Sequence, residues 1–437
     1  MRGARNAAPH DISCRQARGQ ATRSAAIRPR SNSFSVSLNP MQDATLLLSS
    51  KLPKVGTTIF TVMSALAQKN GAINLGQGFP DFEPDDRLLD RVSAAMRAGH
   101  NQYPPMAGNP LLRQRVADKF ASVHGVRPDW EHEVTITSGA TQAILSVIMA
   151  VVRAGDEVIV LEPAYDSYVP NIELAGGRAV PVGLRPGDFR PDFAAIEQAL
   201  TSRTRLVIVN TPHNPSGRIW RRNDWDRLGE ILASRPVFVL SDEVYEHMVY
   251  DGESHVSAGA VPALSGRSFV VSSFGKTLHV TGWKLGSVIA PPALTAEFRK
   301  VHQFTVFTAN SAMQQGIADY LGDPAPWQQL ASFYQARRDR FLAGLAATPL
   351  RALPCEGSYF VCARYDEVAA MRDLPEREAC EWLTREIGVA AIPLSPFYSA
   401  PTEQRIIRFC FAKRQTTLDQ AVARLASLCS MGGTSSR

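Results

Sequence analysis

Cysteine is scarce in this 437-residue chain: there are six, and none stands in a C-x-x-C pair. Cys14, Cys355, Cys362, Cys380, Cys410 and Cys429 offer neither a disulfide framework nor a metal-ligand cluster, so no metal is expected. Such sparse thiols suit a reduced compartment. Long apolar runs are missing as well. Residues 144–152 form one of the longest, well short of a membrane span, and no membrane partner is expected. The first 40 residues contain no lysine and one acid, Asp11, against seven arginines. Of 47 basic and 41 acidic residues in all, 40 of each remain once that tail is removed. The net charge of +6 therefore belongs to the tail, and it gives the body no nucleic-acid partner.

The tail, residues 1–40, is rich in Arg, Ser and Ala, which is the composition of an organellar transit peptide. The reading preferred here is upstream sequence before a start at Met41, where the first stretch with folded character begins. It is expected to be disordered, and the protein to be cytoplasmic. Residues 431–437 form a second short tail.

The body is ordinary globular composition, 45% hydrophobic and 20% charged. Residues 134–137, 157–161, 206–210, 237–241 and 268–272 are strand-length runs rich in Val and Ile. Helical periodicity fills 141–152, 192–199 and 225–234 between them. That alternation predicts an α/β fold with a mostly parallel sheet covered on both faces. This large domain is placed at residues 90–320. A long helix over 327–346 then leads into short segments at 359–363, 389–392 and 405–411 and a last helix over 417–429. These read as a smaller α+β domain over 321–430, with 41–89 as an N-terminal arm packed against it.

In open α/β sheets ligands gather at the carboxyl ends of strands, and four polar clusters fall there. Thr137-Ser-Gly-Ala140-Thr141-Gln precedes a helix and could present backbone amides to an anion; a plain helix cap is the competing reading. Asn210-Thr-Pro-His-Asn214-Pro-Ser-Gly could be no more than a turn. Asp242-Glu-Val-Tyr245 ends an apolar strand, where a carboxylate needs a cation or several hydrogen bonds. Ser273-Phe-Gly-Lys276, followed by Lys284, is the most telling. A lysine just past a buried strand loses stability as an ammonium, and its free amine becomes nucleophilic.

In this order the motifs resemble the class I aminotransferases, pyridoxal-phosphate enzymes of fold type I. Residues 73–80 (Ile-Asn-Leu-Gly-Gln-Gly78-Phe-Pro), Tyr103, Glu162-Pro-Ala-Tyr165 and Ile407-Arg408 extend the likeness over about residues 50–428. Within the family, the branch of methionine and kynurenine aminotransferases is the most similar. The resemblance implies a pyridoxal 5'-phosphate cofactor bonded to Lys276. Asp242 is implied at the ring nitrogen, Asn214 and Tyr245 at the phenolic oxygen, and Tyr165 against the ring face. Ala140, Thr141, Ser273 and Lys284 are implied at the phosphate, joined by Tyr103 from a neighbouring subunit, so that a homodimer shares its sites. Arg408, with Gly78 and Asn214, is implied at the substrate carboxylate. Lys284 stands where many relatives carry arginine, which keeps the charge and loses the fork. His213 and His279 lie beside the motifs and receive no role.

The activity implied is transfer of the amino group of an uncharged or aromatic amino acid, methionine foremost, to a 2-oxo acid. Two alternatives stand beside it: β-elimination from cysteine S-conjugates at the same residues, and a regulatory aminotransferase-like domain. The second needs a DNA-binding domain, for which residues 1–40 are too short.

Overall fold

A computed structural model describes residues 49–432, so the tail over 1–40 and the end of the 431–437 segment lie outside the described residues. From Lys51 onward the described chain forms one compact unit.

The chain enters through a helix, Ile59–Lys69, whose Thr58 side chain caps the first turn, and reaches the short strand β1 (Ile73–Asn74). Two helices follow, Asp86–Arg97 and Pro110–His124. The central sheet is then built from β2 (Val134–Thr137), β3 (Glu157–Glu162), β4 (Arg178–Gly183), β5 (Thr204–Asn210), β6 (Phe238–Asp242), β7 (Ser268–Ser273) and β8 (Gly286–Ile289). Its order is β2-β8-β7-β6-β5-β3-β4. β8 runs opposite to the other six strands, which are mutually parallel, in keeping with the mostly parallel expectation.

Alternation along these strands splits the core. Ile159, Leu161, Val207 and Val209 face one layer with Trp225 and Leu228, while Val158, Val160, Leu206 and Ile208 face the other with Ile144 and Val147. A side-chain period of two makes both faces apolar, and helices cover both. Each such Val, Leu or Ile contributes roughly 1.5–3 kcal/mol through burial.

A second sheet follows from β9 (Arg351–Ala352), β10 (Phe360–Arg364), β11 (Val389–Ala390), β12 (Ile392–Pro393) and β13 (Ile406–Cys410). Four of these pair in the order β12-β13-β10-β9, all antiparallel. β11 instead pairs in parallel with β1, Ile73 opposite Val389, which ties the N-terminal segment to the C-terminal part of the chain.

Three features depart from the sequence reading. β4 and β8 were not expected. β4 is a sheet edge with Pro181 and Gly183 and a largely solvent-facing surface, and β8 is four residues long with Gly and Ser at its start. The helix expected over 327–346 is two, Ala325–Gln328 and Leu330–Leu345.

Candidate active site

The polar strand ends converge. β5 ends at Asn210, β6 at Asp242 and β7 at Ser273, and a single helical turn, Phe274–Thr277, carries Lys276 directly after β7. They line one cavity of about 310 Å³, together with Ala140, Thr141, Tyr165, Asn214, Tyr245, Lys284, Gly78 and Arg408. The structure thus brings together every residue expected at the site within one chain. Tyr103, expected at the phosphate of a neighbouring subunit, lies apart from them. It is 82% exposed and packs its ring edge-on to Phe307 at 5.3 Å, away from this cavity.

Asn210, which has no role of its own in the sequence motifs, holds two of them in register. Its Nδ2 donates to the Asp242 carbonyl at 2.9 Å, and its Oδ1 accepts from the Asn214 amide at 2.8 Å. Tyr168, which no sequence motif singles out, donates its hydroxyl to Asp242 Oδ2 at 2.6 Å. Asp242 is 4% exposed, and burial pushes its carboxyl up to about 6, with Tyr168, the Val244 amide and Lys276 pulling against it. Among the described residues this carboxylate lacks a partnered cation. A protonated ring nitrogen supplies one, so the residue fits the pyridine ring of pyridoxal phosphate.

Lys276 lies inside this polar and aromatic pocket. Its Nζ sits 5.7 Å from the ring centroids of Tyr245 and Tyr359 and 3.4 Å from the Gly78 carbonyl. Burial pushes its ammonium down to about 8; Lys284 and Arg408 push the same way, and Cys410 and Asp242 oppose them. The fraction present as free amine therefore falls as the pH drops below about 8. In protein stripped of cofactor, labelling of Lys276 by an amine-specific reagent is expected to rise with a midpoint near pH 8, against about 10.4 for an unperturbed lysine. A midpoint near 10 contradicts the buried-amine account.

At the next wall the helix Gly139–Val151 begins with Ser138 as N-cap, yet the Ser138 side chain makes no capping bond. The Ser138 hydroxyl therefore does not occupy the first-turn amides, which remain available to an anion. Gly139 has φ +79°, and a Cβ there would lie 3.3 Å from Lys284 Cε. Only glycine allows the lysine this close to the helix start. With Ser273 on the same cavity, a helix N-terminus, a hydroxyl and an ammonium meet, which is the donor set of a phosphate site.

Arg408 comes from β13 and is 1% exposed. Nη1 donates to Asn214 Oδ1 at 2.8 Å and Nη2 to the Gly76 carbonyl at 2.7 Å, while Nε has no partner among the described residues. Phe360 stacks 4.0 Å beneath the guanidinium carbon, with Phe60 and Phe397 each at 5.3 Å. Among the described residues no carboxylate pairs with it. A buried fork without an anion suits a substrate carboxylate. Gly78 lies alongside, where a Cβ would come within 2.7 Å of Phe360.

The two histidines left without a role are structural in their contacts. His213 bonds Ser216 Oγ and the Pro163 carbonyl, and His279 packs among Phe82, Phe333 and Tyr334.

The sequence model of the family described as aminotransferase class I and II matches residues 70–425. The chain belongs to that family. It is a pyridoxal-phosphate-dependent aminotransferase, and amino acids and 2-oxo acids are its substrates. It is 46% identical over 389 residues to the methionine aminotransferase of Escherichia coli, covering 89% of this chain and all of that relative. Human kynurenine–oxoglutarate transaminase 1 is 33% identical over 385 residues, covering 81% of this chain and 91% of the human protein. A crystal structure of E. coli YbdL, described with a methionine aminotransferase function, superposes with a TM-score of 0.85 over 87% of this chain and 99% of that one, at 46% identity. Mycobacterium tuberculosis N-succinyldiaminopimelate aminotransferase gives 0.83 at 37% identity, over 87% of this chain and all of that one. Among the described residues no helix of the aminotransferase is long and apolar enough to cross a membrane.

Proposed function

We propose that this aminotransferase takes the amino group of methionine and of other large uncharged or aromatic amino acids and passes it to a 2-oxo acid. The observation that carries this reading is the wall around Arg408. Phe60, Phe79 and Phe360 line the substrate end of the cavity, and the other two cations on it, Lys276 and Lys284, belong to the cofactor end. An apolar side chain gains from such a wall, whereas a second carboxylate finds no partner there. The likeness to methionine aminotransferase at 46% identity points the same way. β-Elimination is not favoured, since the relatives reported above are transaminases by name.

The roles proposed for the side chains follow from their places. Lys276 holds the cofactor, and its amine, once released, moves the proton that leaves the donor's Cα. Asp242, steadied by Tyr168, keeps the ring nitrogen protonated. Asn214 and Tyr245 hydrogen-bond the phenolic oxygen, and Tyr165 covers the ring face. Ala140, Thr141, Ser273 and Lys284 hold the phosphate. Arg408, with Gly78 and Asn214, seats the α-carboxylate. When bound, pyridoxal phosphate supplies a ring that stabilises negative charge at the donor's Cα.

Two further parts of the reading concern assembly. Tyr103, with Phe304 at 87% exposure and Phe307 at 41%, leaves an aromatic surface that a second copy of the chain would cover, bringing Tyr103 to the partner's phosphate site. Residues 90–320 would act as a large domain, and 41–89 with 321–430 as a small one. The cytoplasm is the proposed compartment.

A panel of amino donors against several 2-oxo acids tests the preference: kcat/KM for methionine should exceed that for aspartate by at least about a hundredfold, the scale on which an unpaired buried carboxylate is rejected. Comparable values for the two overturn it. Arg408→Gln should raise KM for methionine by about a hundredfold, because a charge-assisted pair of hydrogen bonds is lost. An unchanged KM removes Arg408 from the substrate site.

A further inference from the structure

Lys413 stands five residues after Arg408, is 4% exposed, and has no acidic partner among the described residues. A buried ammonium without a counter-charge is costly and calls for a reason. Its contacts supply one. Nζ donates to the Phe79 carbonyl at 2.7 Å and reaches the Gln77 carbonyl at 3.5 Å, so it straddles Gly78. It also lies 5.2 Å from the centroid of the Phe79 ring, which borders the cavity.

The same short segment is tied from other sides. Tyr359 donates its hydroxyl to the Gly78 carbonyl at 2.6 Å. Arg408 donates to the Gly76 carbonyl at 2.7 Å, and the Asn74 side chain accepts from the Gly76 and Gln77 amides at 2.9 and 3.2 Å. Beyond it, Asp81 accepts from the Arg414 amide and the Thr417 hydroxyl. The Gly78 amide makes no hydrogen bond of its own among the described residues. Four successive residues are thus clamped through their carbonyls and through Asn74, with one glycine amide left free on the cavity.

We propose that Lys413 is a positioning residue for the substrate-carboxylate end of the site. Its ammonium holds the Gln77 and Phe79 carbonyls so that the free Gly78 amide stays beside Arg408 to receive the α-carboxylate. This rests on the reading of Arg408 and Gly78 given above. Lys413 touches neither substrate nor cofactor; it acts through the backbone of residues 77–79.

The test compares the purified holoenzyme with its Lys413→Met, Lys413→Arg and Arg408→Gln variants. Lys413→Met replaces the ammonium by an apolar chain of similar length, which the buried site accommodates. It should raise KM for methionine about tenfold, as for one lost hydrogen bond to substrate, with kcat within about threefold of the parent. The visible absorbance of the bound cofactor should not change, because the phosphate and ring contacts lie elsewhere. Lys413→Arg, which keeps charge and donors, should bring KM back within about threefold. An unchanged KM in Lys413→Met overturns the proposal. So does a loss of cofactor together with KM, or an arginine variant no better than methionine, since either marks a merely structural lysine. If Arg408→Gln raises KM while Lys413→Met does not, only this inference falls. If neither does, the reading of the carboxylate site falls with it.

Discussion

Lys276→Ala is expected to lower kcat for transamination by about ten-thousandfold or more, because it removes the proposed nucleophile and the proposed base for the Cα proton. The visible absorbance that marks cofactor joined to a lysine should vanish in the same variant. Folding should not suffer. The ammonium is disfavoured in its pocket, at about 8 against an ordinary lysine, and alanine removes that penalty. Melting of the cofactor-free proteins separates the two effects: a variant that loses activity while melting, without cofactor, at or above the temperature of the cofactor-free parent is the expected result. A variant within tenfold of parental kcat contradicts it.

Asp242→Asn should be the second most damaging change. Asparagine keeps the size and can still meet Tyr168, but it cannot carry the charge proposed to hold a proton on the ring nitrogen. The loss of one fixed electrostatic partner costs roughly a hundred- to a thousandfold in kcat. Unlike Lys276→Ala, this variant should retain cofactor on its lysine and the associated absorbance. The sign of the pH effect is set by the raised carboxyl. With its folded pKa raised to about 6, the buried charge costs stability at higher pH, so cofactor-free parent should gain stability as the pH falls toward 6 and below. Asp242→Asn should abolish that gain. A kcat within tenfold of the parent, or an unaltered pH dependence of cofactor-free stability, contradicts the role.

The site was legible in sequence to the extent that its residues follow strands directly. Asp242 and Ser273 are the last residues of β6 and β7, and Lys276 sits in the turn just after β7. A hydrophobic run that ends in a polar or charged residue marks such a position without any knowledge of distant contacts. The residues that support them were not legible. Tyr168 meets Asp242 across 74 positions, Tyr359 meets Gly78 across 281, and Lys413 meets Phe79 across 334. Nothing local distinguishes these tyrosines or this lysine from packed or solvated ones. Asn210 was hidden differently, inside a Pro- and Asn-rich stretch that reads as a turn.

The same division holds for the fold. Val158 to Leu161 and Leu206 to Val209 announce buried strands because both of their faces are apolar. β4 lies at the edge, with Arg178, Pro181 and Gly183 all tolerated there, and its strand signal is correspondingly weak. β8 is defined by pairing on both sides rather than by its own four residues. The split near Gln329 has no proline or glycine at the break, only a pause between Ala325–Gln328 and Leu330–Leu345, so the periodic pattern ran straight through it.

The central claim is that Lys276, and no other lysine, carries the cofactor. Lys284 is the demanding control, since it lines the same cavity and is exposed. Borohydride reduction of the holoenzyme followed by peptide mass mapping decides between them. The added cofactor mass is expected on the peptide bearing Lys276 and none on Lys284. Cofactor mass on Lys284, or on no lysine at all, contradicts it.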